Sequence, residues 1–389
     1  MNKISIQNSM LKIVAVCVIS LFSSMYVAAQ SETNNRFRYI ELKTNYGSFL
    51  YSDNKLGNAG LLDQSYGGIS LKLGWTSSDP EGWASKYGYP SYGIGLYSGF
   101  LGNAKVYGNP NAIYGFIRFP ITDSSRRNVF SIEPSLGLTY NLNPFNSVEN
   151  PLNDAIGARM AVYFNLDVGF TYKWTREVDI LYGVDFSHFS NGSTFTPNNG
   201  LNLYGINLGI RYHYNANQFK TNNDPYNNEE LLPVRFKRPS KTTIERNREQ
   251  MISVYLAGGV SQRDEDEGTN TLFGTFSAVF DYEFHFNEMH GVNAGVDFFY
   301  DNRLQQFDTS NRYHYGAHIG YDFKFYKLAV KFQLGTYLGD DKNKGAFFMR
   351  PALRYNFNKS VFAQVGLKTL AGGSADYIEY GIGFKPFKW

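Results

Sequence analysis

Gly157–Trp174, GARMAVYFNLDVGFTYKW, decides the fold. Met160, Val162, Phe164, Leu166, Val168, Phe170, Tyr172 and Trp174 occupy one set of alternate positions. Arg159, Asn165, Asp167, Thr171 and Lys173 fall on the other set. Successive side chains of a strand point to opposite faces, so this pattern reads as one long strand with an apolar and a charged face. Charges at alternate positions suit a polar barrel lumen better than the dry core of a soluble sandwich. Outward from this stretch, the alternation marks seven more segments in the first half, roughly 38–50, 65–75, 92–101, 112–119, 129–140, 178–190 and 202–214. Eight follow in the second half, roughly 251–260, 271–286, 291–300, 313–325, 327–338, 346–357, 360–369 and 377–389.

The composition agrees with a barrel in lipid. The 389 residues include 30 Tyr, 32 Phe and 38 Gly, yet mean hydropathy is negative. Aromatic girdles outside and a polar lumen inside produce that combination. No stretch holds the ~18 consecutive apolar residues of a membrane helix. A chain that crosses lipid without such a helix must do so as a closed barrel, because every backbone group has to be paired. Residues 1–29 read as a secretory signal peptide, with Lys3 and Lys12, an apolar core at Ile13–Phe22 and Val27-Ala28-Ala29 before the expected cleavage point. The single cysteine, Cys17, lies in that segment, so the mature chain is expected to form neither disulfide nor thiolate metal site. Removing Lys3 and Lys12 takes the formal charge from +3 to +1, a balance that points to no nucleic-acid partner.

The all-β pattern counts to eight twice. Between the halves, residues 215–250 form a polar linker with Pro233, Pro239 and interleaved charges. The expected architecture is a transmembrane antiparallel β-barrel protein with two tandem eight-stranded barrels, residues 30–214 and 251–389; the alternative is a single barrel of sixteen strands. Short turns at Thr175–Glu177, Tyr326 and Asn358-Lys359 alternate with longer loops such as Arg263–Asn270 and Gly339–Gly345, as expected of the two ends of such barrels. Asp79–Pro90 fits poorly, being long for the short-turn end.

Ile180–Tyr214 reads as a hairpin with chemistry at its tip. His188 and Ser190 continue the apolar face of Ile180, Tyr182, Val184 and Phe186, and Asn202 shares the parity of Tyr204, Ile206, Leu208 and Ile210. If the loop is symmetric about Phe195, His188 lies opposite Asn202, within cross-strand reach. A nucleophile, a base and an orienting group on one face is the plan of acyl transfer. The bland alternative is a rim histidine beside turn residues Ser190-Asn191-Gly192. His314 and His318 have lumen parity and lack an evident third ligand, so they read as structural. Asp264–Glu267 lacks the spacing of a calcium loop.

His188-Phe189-Ser190-Asn191, followed by Pro197-Asn198-Asn199-Gly200, resembles the lipid A 3-O-deacylase family of outer-membrane β-barrel hydrolases. The resemblance covers roughly 36–214 and implies His188 as base, Ser190 as nucleophile and Asn191 as oxyanion donor. The family's third member is a glutamate on the next strand; the matching position here is Asn202, and asparagine can orient a catalytic histidine, as in Cys-His-Asn sites. The expectation is an outer-membrane serine esterase that removes an ester-linked acyl chain from lipid A in lipopolysaccharide of the outer leaflet, with no cofactor. A non-enzymatic channel or structural barrel is the alternative, and an acyltransferase a weaker one. The sequence assigns no task to 251–389 and no oligomeric state.

Overall fold

The computed structural model describes residues 36–50, 65–77, 79, 82–175, 177–214, 244, 248–306, 312–339, 344–371 and 373–389. The expected signal peptide and almost all of the expected linker lie outside these residues.

Among the described residues, sixteen strands form two separate closed barrels. The first contains β1 (Arg36–Leu50), β2 (Ser65–Ser77), β3 (Ser91–Leu101), β4 (Gly108–Pro120), β5 (Asn128–Leu142), β6 (Ala161–Lys173), β7 (Val178–Ser190) and β8 (Leu201–Tyr212). The second contains β9 (Glu249–Ser261), β10 (Phe273–His285), β11 (His290–Asp301), β12 (Tyr313–Phe325), β13 (Leu328–Tyr337), β14 (Phe347–Asn356), β15 (Val361–Thr369) and β16 (Ala375–Lys388). Closure decides between the two architectures. β8 pairs back onto β1, Ile40 opposite Tyr212 and Leu50 opposite Asn202. β9 pairs with β16, not with β8. All neighbours are antiparallel, so each wall satisfies its own backbone and leaves no edge.

The period-two pattern sorts the side chains. On β6 the Asn165, Asp167, Thr171 and Lys173 side chains are buried in the lumen. The outward face of β8 leaves Ile206 66% and Leu208 60% exposed, the surface a bilayer would cover. The first lumen is filled with matched charges. Glu41 meets Lys72 at 3.1 Å, Arg118 at 3.2 Å and Arg211 at 2.8 Å. Glu133 meets Arg118 at 2.7 Å, and Lys43 meets Asp167 at 2.8 Å. In the second lumen Lys331 lies between Asp281, Glu283 and Asp322, while Arg350 bridges Asp297 and Glu379. An eight-stranded interior is just wide enough for side chains to fill, and here paired ions fill it.

Arg159 departs from the lumen parity read in the sequence. β6 starts at Ala161, and Arg159 is exposed. The residues before it belong to the 143–160 loop, where the Ile156 carbonyl accepts the Phe145 N–H at 2.8 Å and Ile156 is buried. Tertiary contacts of that loop outweigh the alternation there.

The barrels lie side by side with the same polarity. At the short-turn end, the β2–β3 connection contains a short helix, α1 (Trp83–Lys86). Trp83 stacks on Tyr326 at 5.5 Å and meets Phe325 edge-on at 5.0 Å. Phe119 adds a contact to Phe325 at 5.3 Å, and Lys86 pairs with Glu288. Phe325 faces outward yet is only 6% exposed, because these groups cover it. The length of Asp79–Pro90 is thereby explained: this connection wedges against the neighbouring barrel. At the opposite end the β7–β8 loop meets the tops of β9 and β16. Strand tilt reconciles contacts at the foot of β4 with contacts at the head of β7. A 13-residue strand is about 43 Å long; tilted by about 40°, it travels roughly half of an eight-strand circumference.

Candidate active site

The head of β7 is fixed from inside the barrel. Phe189 is fully buried in the lumen against Tyr163 at 5.2 Å and Tyr97 at 6.3 Å, and Tyr97 stacks on Tyr163 at 5.3 Å. Its neighbours His188 and Ser190 therefore face outward, where the apolar wall meets the loop.

His188 pairs in register with Asn202 across β7 and β8. Its Nδ1 lies 2.6 Å from Asn202 Oδ1. An amide oxygen accepts, so this contact selects the tautomer protonated at Nδ1 and leaves Nε2 as the basic nitrogen. Gly200 allows the loop to close over the ring. It has φ +79°, and a Cβ there would sit 2.7 Å from His188 Cε1, so both backbone and space call for glycine.

Ser190 is held ready by the loop rather than by His188; no hydrogen bond joins the two among the described residues. Asn198 Nδ2 donates to Ser190 Oγ at 2.9 Å, and the Gly192 N–H donates to the same oxygen at 3.1 Å. Asn198 Oδ1 accepts the Asn191 N–H at 2.9 Å, which orients the amide with its NH₂ toward the serine. Two N–H donors thus converge on Ser190 Oγ. The Asn191 side chain is engaged elsewhere: its Nδ2 donates to the Phe195 carbonyl at 2.9 Å and its Oδ1 accepts the Phe195 N–H at 3.4 Å. The side-chain donor at Ser190 is accordingly Asn198, a residue the sequence reading quoted in the loop but gave no role. The signal was its place in Pro197-Asn198-Asn199-Gly200; only the fold of the loop shows which asparagine turns back to the serine.

Below the site, the outer wall carries a shallow crevice of about 750 Å³, lined by Tyr46, Leu166, Val184, Phe186, Tyr204 and Ile206 among others. Phe186 and Tyr204 are the next outward residues below His188 and Asn202. The crevice thus lies on the same outward face, beginning one residue pair below His188 and Asn202.

Other clusters are structural in character. His318 is buried between Asp281 at 2.8 Å and Asp297 at 2.7 Å. Glu283, His285 and Asp322 have the arrangement of three metal ligands. Lys331 already contacts both carboxylates, at 2.9 and 3.4 Å, and Arg354 pairs with Glu283, so the negative charge there is offset by fixed cations.

Comparison with known proteins separates the halves in the same way. The profile described as lipid A 3-O-deacylase (PagL) matches residues 69–211. The profile described as acyloxyacyl hydrolase, C-terminal domain, matches residues 250–389. No curated protein matches the whole-chain sequence. Similar solved structures include the outer-membrane enzyme PagL, at 14% identity and TM-score 0.31, covering 43% of this chain and 97% of that one. Neisserial surface protein A follows at 11% identity and TM-score 0.30, covering 46% and 97%. A Rhodopseudomonas blastica porin variant aligns at 11% identity and TM-score 0.18, covering 90% and 99%. By its matched residues, the first barrel of this chain belongs to the lipid A 3-O-deacylase family, and the second to the acyloxyacyl hydrolase C-terminal domain family.

Proposed function

We propose that the chain is an outer-membrane serine esterase that removes an ester-linked acyl chain from lipid A, exported by the signal in residues 1–29. The observation that carries this reading is the convergence of Asn198 Nδ2 and the Gly192 N–H on Ser190 Oγ, beside a histidine whose tautomer Asn202 sets.

The chemistry follows from these positions. As the ester carbonyl arrives, the Ser190 hydroxyl turns to His188 Nε2, two residues back on the same face; such bonds commonly tighten only in the substrate complex. His188 takes the proton while Oγ attacks the acyl carbon. The developing oxyanion occupies the space where Asn198 Nδ2 and the Gly192 N–H now point. Collapse breaks the ester C–O bond and expels the sugar oxygen, which takes the proton from His188 as it leaves and departs as the free hydroxyl. Water then attacks the acyl-serine with His188 as base, releasing the fatty acid and restoring Ser190. Asn202 orients the imidazole, although a neutral amide stabilises the imidazolium less than a carboxylate would. The apolar crevice beneath the site suits the acyl chain, and a site on the outer wall lets a lipid present its ester without leaving the bilayer. Lumens packed with ion pairs speak against the channel alternative.

The test is mass spectrometry of lipid A from cells with and without the protein. Loss of one acyl group supports the hydrolase. An added or relocated group supports transfer, and an unchanged profile sinks both.

A further inference from the structure

Ser193 and Thr196 lie in the loop between Ser190 and Asn198, and among the described residues all their hydrogen bonds run to the second barrel. The Thr196 N–H and Oγ1–H both donate to Gln262 Oε1, at 2.8 and 3.1 Å. Gln262 Nε2 donates to the Thr269 carbonyl at 3.2 Å, which fixes the amide with its oxygen toward the loop. The Ser193 carbonyl accepts the Gln262 N–H at 3.1 Å and the Ser261 hydroxyl at 2.7 Å. Ser193 Oγ donates to the Ala375 carbonyl at 2.7 Å. Gln262 and Ser261 are essentially fully buried, so these bonds form away from competing water. Apolar contact adds to them: Gly192 has φ +62°, and a Cβ there would lie 2.3 Å from Ile378 Cγ1 of β16.

Behind the clamp stands a rigid base. Arg303 donates to Ser261 Oγ at 3.1 Å and pairs with Asp301 at 2.6 Å. Asp376 gathers Lys344 at 2.9 Å and Lys368 at 2.6 Å.

We propose that the second barrel is a positioning device for the first: Gln262 and Ser261 hold Ser193 and Thr196, and through them keep Asn198 against Ser190. The proposal rests on the esterase reading above. Its physical basis is tolerance. Oxyanion donors act only when held within about 0.5 Å of their working position, and Asn198 is separated from Ser190 by seven residues of loop. Bonds at Ser193 and Thr196 pin the middle of that span. The first barrel holds the far end, where the Gly200 N–H donates to the Ala155 carbonyl at 3.0 Å. This gives the second barrel a task that neither its charged lumen nor its lipid-facing wall supplies.

The full chain, purified in detergent, provides the test. Gln262→Ala, Ser261→Ala and Lys86→Ala are compared by cold-gel mobility for folding, by hydrogen–deuterium exchange over 191–200, and by kcat and KM on a long-chain p-nitrophenyl ester. Lys86 joins the barrels at the opposite end and touches no part of the loop, so its variant controls for general loosening of the pair. Gln262→Ala is expected to speed exchange in the loop and lower kcat about tenfold with KM little changed, the signature of a misplaced donor rather than lost binding. Ser261→Ala should move both readouts the same way by less, and decides the matter if Gln262→Ala folds poorly. Lys86→Ala should move neither. A folded Gln262→Ala variant with unchanged kcat overturns the proposal, whether or not exchange rises. If the wild-type chain has no esterase activity while Gln262→Ala still frees the loop, the esterase reading falls and the clamp itself stands.

Discussion

Replacing Asn198 tests the oxyanion assignment most directly. Asn198 does two jobs in the structure: Nδ2 donates to Ser190 Oγ at 2.9 Å, and Oδ1 accepts the Asn191 N–H at 2.9 Å and the Ser190 hydroxyl at 3.3 Å. Asn198→Ala removes both. Loss of one oxyanion donor lowers kcat by about 10²–10³, equivalent to ~2.7–4 kcal/mol of transition-state stabilisation. Loss of a loop hydrogen bond costs about 1 kcal/mol and acts on loop order. Asn198→Asp separates the two. A carboxylate keeps the acceptor for the Asn191 N–H and nearly the same shape, but offers no donor and repels the oxyanion. It should therefore be at least as inactive as the alanine variant. Asn191→Ala, which breaks only the paired bonds to Phe195, should cost roughly tenfold, the effect of about 1–1.5 kcal/mol. The assay is release of fatty acid from lipid A in detergent micelles, with kcat and KM resolved. Near-normal kcat in Asn198→Asp, or an Asn191→Ala loss as deep as that of Asn198→Ala, would refute the assignment.

Three other outcomes are expected. Ser190→Ala and His188→Ala should each abolish deacylation while the barrel keeps its heat-modifiable gel mobility, since both side chains stand on the outer face and hold no lumen contact; an active Ser190→Ala chain would remove the nucleophile. Asn202→Glu should keep or raise kcat, because a carboxylate beside Nδ1 steadies the imidazolium; a dead Asn202→Glu beside a fully active Asn202→Ala would show that residue 202 does not orient the base. Glu41→Gln should lower stability by about 3–5 kcal/mol, because Lys72, Arg118 and Arg211 lose the buried anion they share. That loss reads as a lower urea midpoint for the folded gel species, and an unchanged midpoint would show that the ion cluster does not stabilise the barrel.

The sequence by itself determined the strands, because period-two alternation is a local property that each segment carries alone. β7 and β12 begin and end where the pattern does, at Val178–Ser190 and Tyr313–Phe325. It also determined that His188, Ser190 and Asn202 share a face, since parity and hairpin symmetry set the pairing that the register shows. Closure it anticipated only indirectly: eight segments on each side of the 215–250 break favoured the two barrels that form, but whether β8 seeks β1 or β9 depends on partners far apart in the chain, and backbone hydrogen bonds carry no sequence label. The bond from Asn198 to Ser190 was equally hidden, because the 191–200 loop has no period and also bonds to Gln262 and Ser261 on another barrel. Asp79–Pro90 looked too long for its end of the molecule for the same reason. Its Trp83 packs on Phe325 and Tyr326, more than two hundred residues away in the chain, and only the folded pair of barrels brings them together.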